Sequence, residues 1–599
     1  MRAWIAWLVA ATLGVAASAE TVIESTPLQP AVATISVDEM SRGLRGYGLS
    51  VFAGSEPERF EVEVLGVLRN STPELSYILA RLSGQDLERS GVIAGMSGSP
   101  VYFGERLAGA VAFSYQFGLD AIAGITPIDA MRRLAELPVG TVARSTGAPR
   151  GLDIRFDDLV QREFASDLLS RQLERLLPAS PQGARSALQW TASGFGGNAA
   201  TLLRQSLGHL SQSGGGLGAA GDNPSIELVP GSAVAAVLVQ GDLNLAAHGT
   251  VTDLIGDEVI AFGHPMFSLG PVNLPLAPSE VITVIANVAN SFKVSNAGPV
   301  IGAFDQDREA GIRGRLGRHA PTTPITVRLG GLSERQYQME VSNLPQMRPM
   351  LMAISTLGAI EAATYSGGYQ GLDLVARIAL REHEDLVARQ SFDGDQAAVD
   401  SVIFLLSYLA YLEYNPLTEI ELESVEVDLE QVDRPRAATL LAAHPTRTRV
   451  VPGQKVPITL ELQPYRGERY RHVVEVEVPA SAPNGRYVVL IGDGTSMDAV
   501  RLSVERRTPE TFEQVLDVLR TFHSRRELVV FGLQPAQGLA LGGETLPNLP
   551  GSVRAIFGAG VAPVGDALSL EIVHESLETL DRPIEGALRI DLVVQRRGE

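Results

Sequence analysis

The chain contains no cysteine. It therefore forms no disulfide and offers neither a thiolate nucleophile nor a sulfur ligand for zinc, which leaves Ser, Thr, Asp, Glu and His to carry any chemistry. Basic charge is also scarce: 49 Lys and Arg face 69 Asp and Glu, a formal net charge of −20. Binding a phosphate backbone needs a concentrated excess of Lys and Arg, so nucleic acid is excluded as a partner. Long apolar runs are missing beyond the N-terminus. The stretch Val402 to Leu412 is interrupted by Ser407 and Tyr408 and is shorter than the roughly 20 residues a membrane span needs, so it reads as a buried helix. No His-x-x-x-His pair or carboxylate cluster is visible, so neither a metal site nor a cofactor is expected.

What is present begins with an address. Arg2 precedes an apolar stretch from Trp4 to Ala16, and Ala17-Ser18-Ala19 supplies small residues where a signal peptidase cuts. Residues 1–19 are therefore expected to be a cleavable signal peptide, with a periplasmic or secreted mature protein starting near Glu20. At 599 residues the chain is too long for one core, and about three or four domains are expected.

Sixty glycines and 35 prolines break the sequence into short apolar runs, a texture of strands and turns. A first β block spans 20–150. Residues 151–225 read as an insert, with an amphipathic helix through Leu159, Leu168 and Leu176 and a glycine-rich linker over Ser211 to Asn223. A second β block covers 226–330, and 331–416 is a mixed α/β connection. Alternation in Val456, Ile458, Leu460 and Leu462, with an Asn484-Gly485 turn, points to an immunoglobulin-like sandwich over 417–505. Residues 506–599 form a C-terminal α+β region.

The sharpest local signal is Gly95-Met96-Ser97-Gly98-Ser99-Pro100, which feeds a hairpin through Val101-Tyr102-Phe103 and Leu107 to Val111. Acyl transfer needs a serine oxygen on a tight turn, with backbone N–H groups aimed where the oxyanion develops. Here Ser97 would be the nucleophile, and the N–H groups of Gly95 and Ser97 the oxyanion hole. Ser99 is the weaker alternative nucleophile. An α/β-hydrolase elbow requires glycine two positions after the serine and a helix beyond, whereas Ser99 stands there and a strand follows. Alone, the turn also fits a polar loop between strands. A serine hydroxyl needs a base. Of nine histidines, His264 ends the apolar strand Val259 to Phe262 where a loop opens, and His248 is second choice; either could equally be structural.

These residues resemble the stage IV sporulation protein B (SpoIVB) family of serine peptidases, related in fold to trypsin. Gly91 to Val101, with Gly104 and Leu107 to Val111, is similar to that family's nucleophile segment. Ala261-Phe262-Gly263-His264, with Gly249-Thr250-Val251 ahead of it, is similar to its histidine segment. The resemblance covers about a third of the chain and none of it beyond about residue 330. It implies two trypsin-like β-barrel halves, Ser97 as nucleophile and His264 as base, and limited proteolysis of protein or peptide substrates, with self-cleavage known in the family. Two departures stand out. The sporulation peptidase places histidine before serine, whereas here Ser97 precedes His264, so the serine half precedes the histidine half. The family's aspartate upstream of the serine is matched only by Asp86, at a shorter spacing, and Asp86 also reads as a solvated turn residue. Asp253, Asp257 and Asp305 are the alternatives. The rival expectation is a non-catalytic envelope scaffold or binding protein that keeps the barrels and associates with other envelope proteins.

Overall fold

The computed structural model describes residues 32–72, 75–115, 117–137, 184–207, 210–212, 227–331, 334–363, 369–506, 509–541, 544–558 and 566–596. The expected signal peptide, the helix through Leu159 to Leu176 and nearly all of the glycine-rich linker lie outside the described residues. The fold is mainly β, with 52% strand and 18% helix. It contains closed six-strand barrels.

The first barrel is built from β1 (Arg45–Ser50), β2 (Glu58–Thr72), β3 (Leu75–Ser83), β4 (Pro100–Phe103), β5 (Arg106–Tyr115) and β6 (Ile122–Pro127). They run in the order β4-β1-β2-β3-β6-β5, and pairing of β5 with β4 closes the ring. Alternate residues such as Phe60, Val62 and Val64 on β2 and Ile78, Ala80 and Leu82 on β3 fill its interior, the period-2 pattern of a sheet with one face on the core. Helix α1 (Leu87–Ser90) leads into the Ser97 turn, and α2 (Ile128–Glu136) follows β6. The short strand β7 (Ala184–Ser186) lies along the C-terminal half of β5.

The chain then enters the second unit through β8 (Gln189–Ser193) and, after α3 (Gly197–Leu207), β9 (Leu210–Gln212). The second barrel comprises β10 (Ala233–Gly241), β11 (Asn244–Ile255), β12 (Glu258–Ala261), β13 (Gly270–Ile285), β15 (Gly302–Arg308) and β16 (Gly311–Leu316), with β14 (Phe292–Ala297) paired to β13. Its order is β10-β13-β15-β16-β12-β11, closed by β10 on β11.

No break falls at residue 330. Strand Arg335–Ser342 pairs with β10, so the sheet continues through Thr322–Gly330, Leu422–Val432, Gln370–Leu380 and Leu386–Gly394. Helices α4 (Arg348–Ala363) and α5 (Ala397–Glu413) pack on it, and α5 contains the apolar Val402 to Leu412 run, buried as expected. Among the described residues no helix is long and apolar enough to cross a membrane. The C-terminal part is two further sheets around one core, which joins Val456, Ile458 and Leu460 to Val489, Val530 and Leu592. The alternation around 456–478 thus marks real strands. The block expected to end at 505 draws half its partners from beyond that point, because strand Gly485–Asp493 pairs with Glu527–Leu541 on one side and Ala587–Val594 on the other. Pairing between such distant segments leaves no trace in local periodicity.

The two barrels are fastened through α2. Arg313 of β16 is fully buried, donates from Nε to Asp305 at 2.7 Å, and donates from Nη1 to the carbonyls of Leu134 at 2.6 Å and Leu137 at 2.8 Å. It thereby caps the C-terminal end of α2, where the Leu134 carbonyl otherwise accepts only the Leu137 N–H at 3.3 Å. Arg132 of α2 reaches back to the buried Asp253 of β11 at 2.8 Å. Arg313→Met should leave the buried Asp305 carboxylate with Arg318 and Arg315 alone and take the guanidinium from the end of α2, lowering stability by about 3 kcal/mol or more as read from the urea midpoint. A change below about 1 kcal/mol would contradict this account.

Candidate active site

The Ser97 turn has its shape because two glycines take angles other residues resist. Gly95 has φ +101° and Gly98 φ +92°. Space is as decisive as angle: a Cβ on Gly98 would lie 2.0 Å from the Thr250 carbonyl oxygen and 2.5 Å from the Phe262 nitrogen. Gly98 therefore lets the turn rest directly on the backbone of the second barrel. There the Thr250 N–H donates to the Ser97 carbonyl at 2.7 Å, the Thr252 hydroxyl to the Gly98 carbonyl at 2.8 Å, and the Thr250 hydroxyl to the Gly95 carbonyl at 3.0 Å.

His264 reaches the turn from the loop after β12. Beyond β12, Phe262 and Gly263 adopt φ +71° and +68°, a reversal unusual for a bulky residue. The Phe262 ring is fully buried against Phe304, in space that a side chain on Gly249 would fill. The Thr126 hydroxyl of the first barrel fixes the Gly263 carbonyl at 2.5 Å. The result is a contact of 2.5 Å between Ser97 Oγ and His264 Nε2.

The other imidazole nitrogen determines the direction of that bond. His264 Nδ1 lies 2.6 Å from the Pro265 carbonyl oxygen, which can only accept, so Nδ1 carries the hydrogen. Burial pushes the His264 pKa down to about 4, against the pull of that carbonyl. The ring is therefore neutral at pH 7, and its bare Nε2 can accept the Ser97 hydroxyl hydrogen. The Phe262 carbonyl, 2.7 Å from Ser97 Oγ, is a second acceptor for the same hydrogen.

The remaining expectations fare differently. Asp86 is not brought to the pair: it sits exposed at the start of α1, with its carboxylate 3.5 Å from Arg89. Asp253 binds Arg132, Asp305 binds Arg313 and Arg318, and Asp257 is exposed near Arg315. None of these four bonds to His264; among the described residues its Nδ1 meets the Pro265 carbonyl. The loop carrying that carbonyl is held by a residue that local sequence pattern does not single out. Asp307, 1% exposed, accepts the N–H groups of Met266 at 2.7 Å, Phe267 at 2.8 Å and Leu269 at 3.3 Å. The clue available was an acidic pair, Asp305 and Asp307, inside an otherwise buried strand.

The expected oxyanion hole is also modified. The Gly95 N–H is already occupied, donating to the Ala187 carbonyl at 2.6 Å, whereas the Ser97 N–H has no acceptor among the described residues. Ser97 is fully buried. Ser99 is engaged with Ser50 at 2.9 Å and with Thr250 at 3.4 Å, away from any histidine. His248 bridges Thr191 at 2.7 Å and Ser279 at 2.8 Å inside the second barrel, a structural position. Beneath the turn lies Lys293, 1% exposed, its Nζ 2.9 Å from Ser50 Oγ and its stem against Gly95. Burial alone pushes its ammonium down to about 7. Among the described residues no group of His, Asp and Glu could hold a metal ion.

No family model, curated protein or solved structure matches the chain.

Gly98→Ala should drive the barrels apart at the turn and greatly reduce labelling of Ser97 by a fluorophosphonate. Gly104→Ala, at φ +63° with open space around it, should cost only about 1 kcal/mol of backbone strain and keep labelling. Equal labelling of the two variants would refute the role given to Gly98. Acid should also weaken the fold. His264 and His248 are held near pKa 4 and 3 by burial, below the ordinary 6.5, so the unfolded chain takes up protons that the folded chain refuses. The stability their neutral state contributes is complete above pH 6.5. It is lost as pH falls from there toward 4, each histidine costing about 1.4 kcal/mol for every pH unit crossed. His248→Gln should flatten the slope of urea midpoint against pH in that window.

Proposed function

We propose that the chain is an exported serine endopeptidase that cuts selected protein or peptide substrates through an acyl-enzyme, with Ser97 as nucleophile and His264 as general base. One observation carries the reading: Ser97 Oγ lies 2.5 Å from His264 Nε2 while Nδ1 is committed to the Pro265 carbonyl. That tautomer leaves a lone pair aimed at the hydroxyl. The paired six-strand barrels, with one residue supplied by each, support a trypsin-like arrangement in which the serine half precedes the histidine half. The C-terminal pair of sheets would be the immunoglobulin-like module, presenting substrates or envelope partners.

In the reaction, His264 Nε2 takes the Ser97 proton as Oγ bonds to a peptide carbonyl carbon. The Ser97 N–H, joined by that of Gly95 once it is released, holds the oxyanion. Collapse breaks the C–N bond, and the Nε2 proton passes to the leaving amine. Water deprotonated by His264 then hydrolyses the Ser97 ester. Asp307 is a positioning residue, holding the loop that presents the Pro265 carbonyl to Nδ1.

The scaffold reading keeps one observation on its side: among the described residues it is a backbone carbonyl, not a carboxylate, that meets His264 Nδ1. The choice is open to direct measurement. A fluorophosphonate should label the wild type, and Ser97→Ala and His264→Ala should each abolish labelling and lower any peptidase activity by at least about 10³-fold. The acid limb of kcat/KM should fall near pH 4 rather than near 6.5, following His264. Undiminished labelling of Ser97→Ala would overturn the assignment.

A further inference from the structure

We propose that the edge of β5 from Ala112 to Tyr115, which β4 leaves uncovered, is the substrate groove, that residues 184–187 of the chain itself occupy it in the register of a substrate, and that Ala187–Leu188 is the bond presented to Ser97. The proposal rests on the peptidase reading above and adds to it the groove, the register and the bond.

The observations concern backbone groups. Strand β4 covers only the first half of β5, with Pro100 opposite Ala110 and Val101 opposite Gly109. On the second half lies β7, antiparallel, with Ser186 opposite Phe113, Arg185 opposite Ser114 and Ala184 opposite Tyr115. An extended peptide added to a free strand edge is a general mode of substrate recognition. At the end of β7 the Ala187 N–H donates to the Ala112 carbonyl at 3.2 Å, and the Ala187 carbonyl accepts from the Gly95 N–H at 2.6 Å. A peptide carbonyl thus lies on one of the two N–H groups expected to bind the oxyanion. The other, on Ser97, is adjacent and without an acceptor among the described residues. The side chain before the bond is a methyl group, 2% exposed.

The residues on either side belong to different barrels. β7 ends on the first, while Gln189 already pairs with His248 of the second. Ala187–Leu188 is the crossing between them, and it passes the Ser97 turn, whose own hydroxyl is fully buried. Attack of Ser97 Oγ on the Ala187 carbonyl carbon, with its proton moving to His264 Nε2, breaks the bond to the Leu188 nitrogen, which receives that proton. Water then hydrolyses the ester, leaving an Ala187 carboxylate and a free Leu188 amine. The products are a chain carrying Ser97 and a chain carrying His264. They remain joined by the Thr250, Thr252, Arg132 and Arg313 contacts. The new Ala187 end, free of its tether to β8, can leave the groove to other substrates.

The test uses the full mature chain. Intact mass and N-terminal sequencing of the wild type should give a fragment beginning at Leu188, and Ser97→Ala should give a single chain. Ala187→Pro removes the N–H that donates to Ala112 and should leave the chain uncut, while a fluorophosphonate still labels Ser97. Cutting of Ala187→Pro at 187–188 at the wild-type rate would overturn the proposal. So would an uncut wild-type chain whose Ser97 is labelled, or Ser97-dependent cutting at another bond; either would leave the peptidase reading standing. A wild-type chain that is neither cut nor labelled would instead remove the peptidase reading itself, and this proposal with it.

Discussion

Everything functional in this molecule depends on the docking of two barrels so closely that a hydroxyl from one lies 2.5 Å from an imidazole of the other. Neither partner is reactive alone. A serine hydroxyl holds its proton too tightly to attack an amide, and a neutral imidazole needs a proton donor within reach. At the serine turn the fold meets this demand with backbone contacts, while the Arg313 and Arg132 side chains fasten the barrels at α2. Gly98 sits with no room for a Cβ against the Thr250 carbonyl, and the Thr250 N–H is bonded to the Ser97 carbonyl. Main-chain contacts between closed barrels have little freedom to adjust. A methyl group in the wrong place therefore displaces the whole interface, where a flexible side chain would have yielded.

The same docking creates an unusual electrical environment. Ser97, His264, His248 and Lys293 are all buried, and burial holds both histidines neutral and brings Lys293 down to about 7. Asp307 and Asp253 are already committed, the first to backbone N–H groups and the second to Arg132. Among the described residues the Pro265 carbonyl dipole meets Nδ1 and fixes the tautomer without adding a charge. A carboxylate would strengthen the base by stabilising imidazolium. The Pro265 carbonyl does this less well, and burial outweighs its pull, holding the His264 pKa down at about 4.

How much of this could be read from the sequence follows from which interactions are local. The serine turn was legible because its glycines are local requirements of backbone angle. His264 was legible because a strand end is marked by an apolar run that stops. The third member was not, because proximity in sequence says nothing about which carboxylate a distant loop meets: Asp86 lies eleven positions from Ser97, yet its carboxylate faces solvent and Arg89. Asp307 escaped notice since its role is to accept three backbone N–H groups from another segment. The strands near 456–478 were visible as alternation, but their sheet partners beyond 505 were not. Pairing of strand Gly485–Asp493 with Ala587–Val594 is a long-range event. The occupied Gly95 N–H was likewise invisible, since nothing local in the sequence ties Ala187 to that turn.

Chain order gives this arrangement a further logic. With the serine barrel first and the histidine barrel second, the chain must cross from one to the other, and the proposed catalytic pair at their junction places the crossing beside it. The described part of that crossing, Ala184 to Gln189, takes its hydrogen bonds first from β5 and the Gly95 turn and then from β11. A buried backbone needs such partners, and the junction's free donors and acceptors are the ones a bound peptide would use. The connection is therefore drawn to the groove by the same unsatisfied edge that would recognise a substrate. Covering β5 and sealing Ser97 from water are two results of one set of hydrogen bonds. Access to the hydroxyl then requires the crossing to lift from β5, and that lift costs less once the Ala187 N–H bond to Ala112 or the tether to β8 is lost.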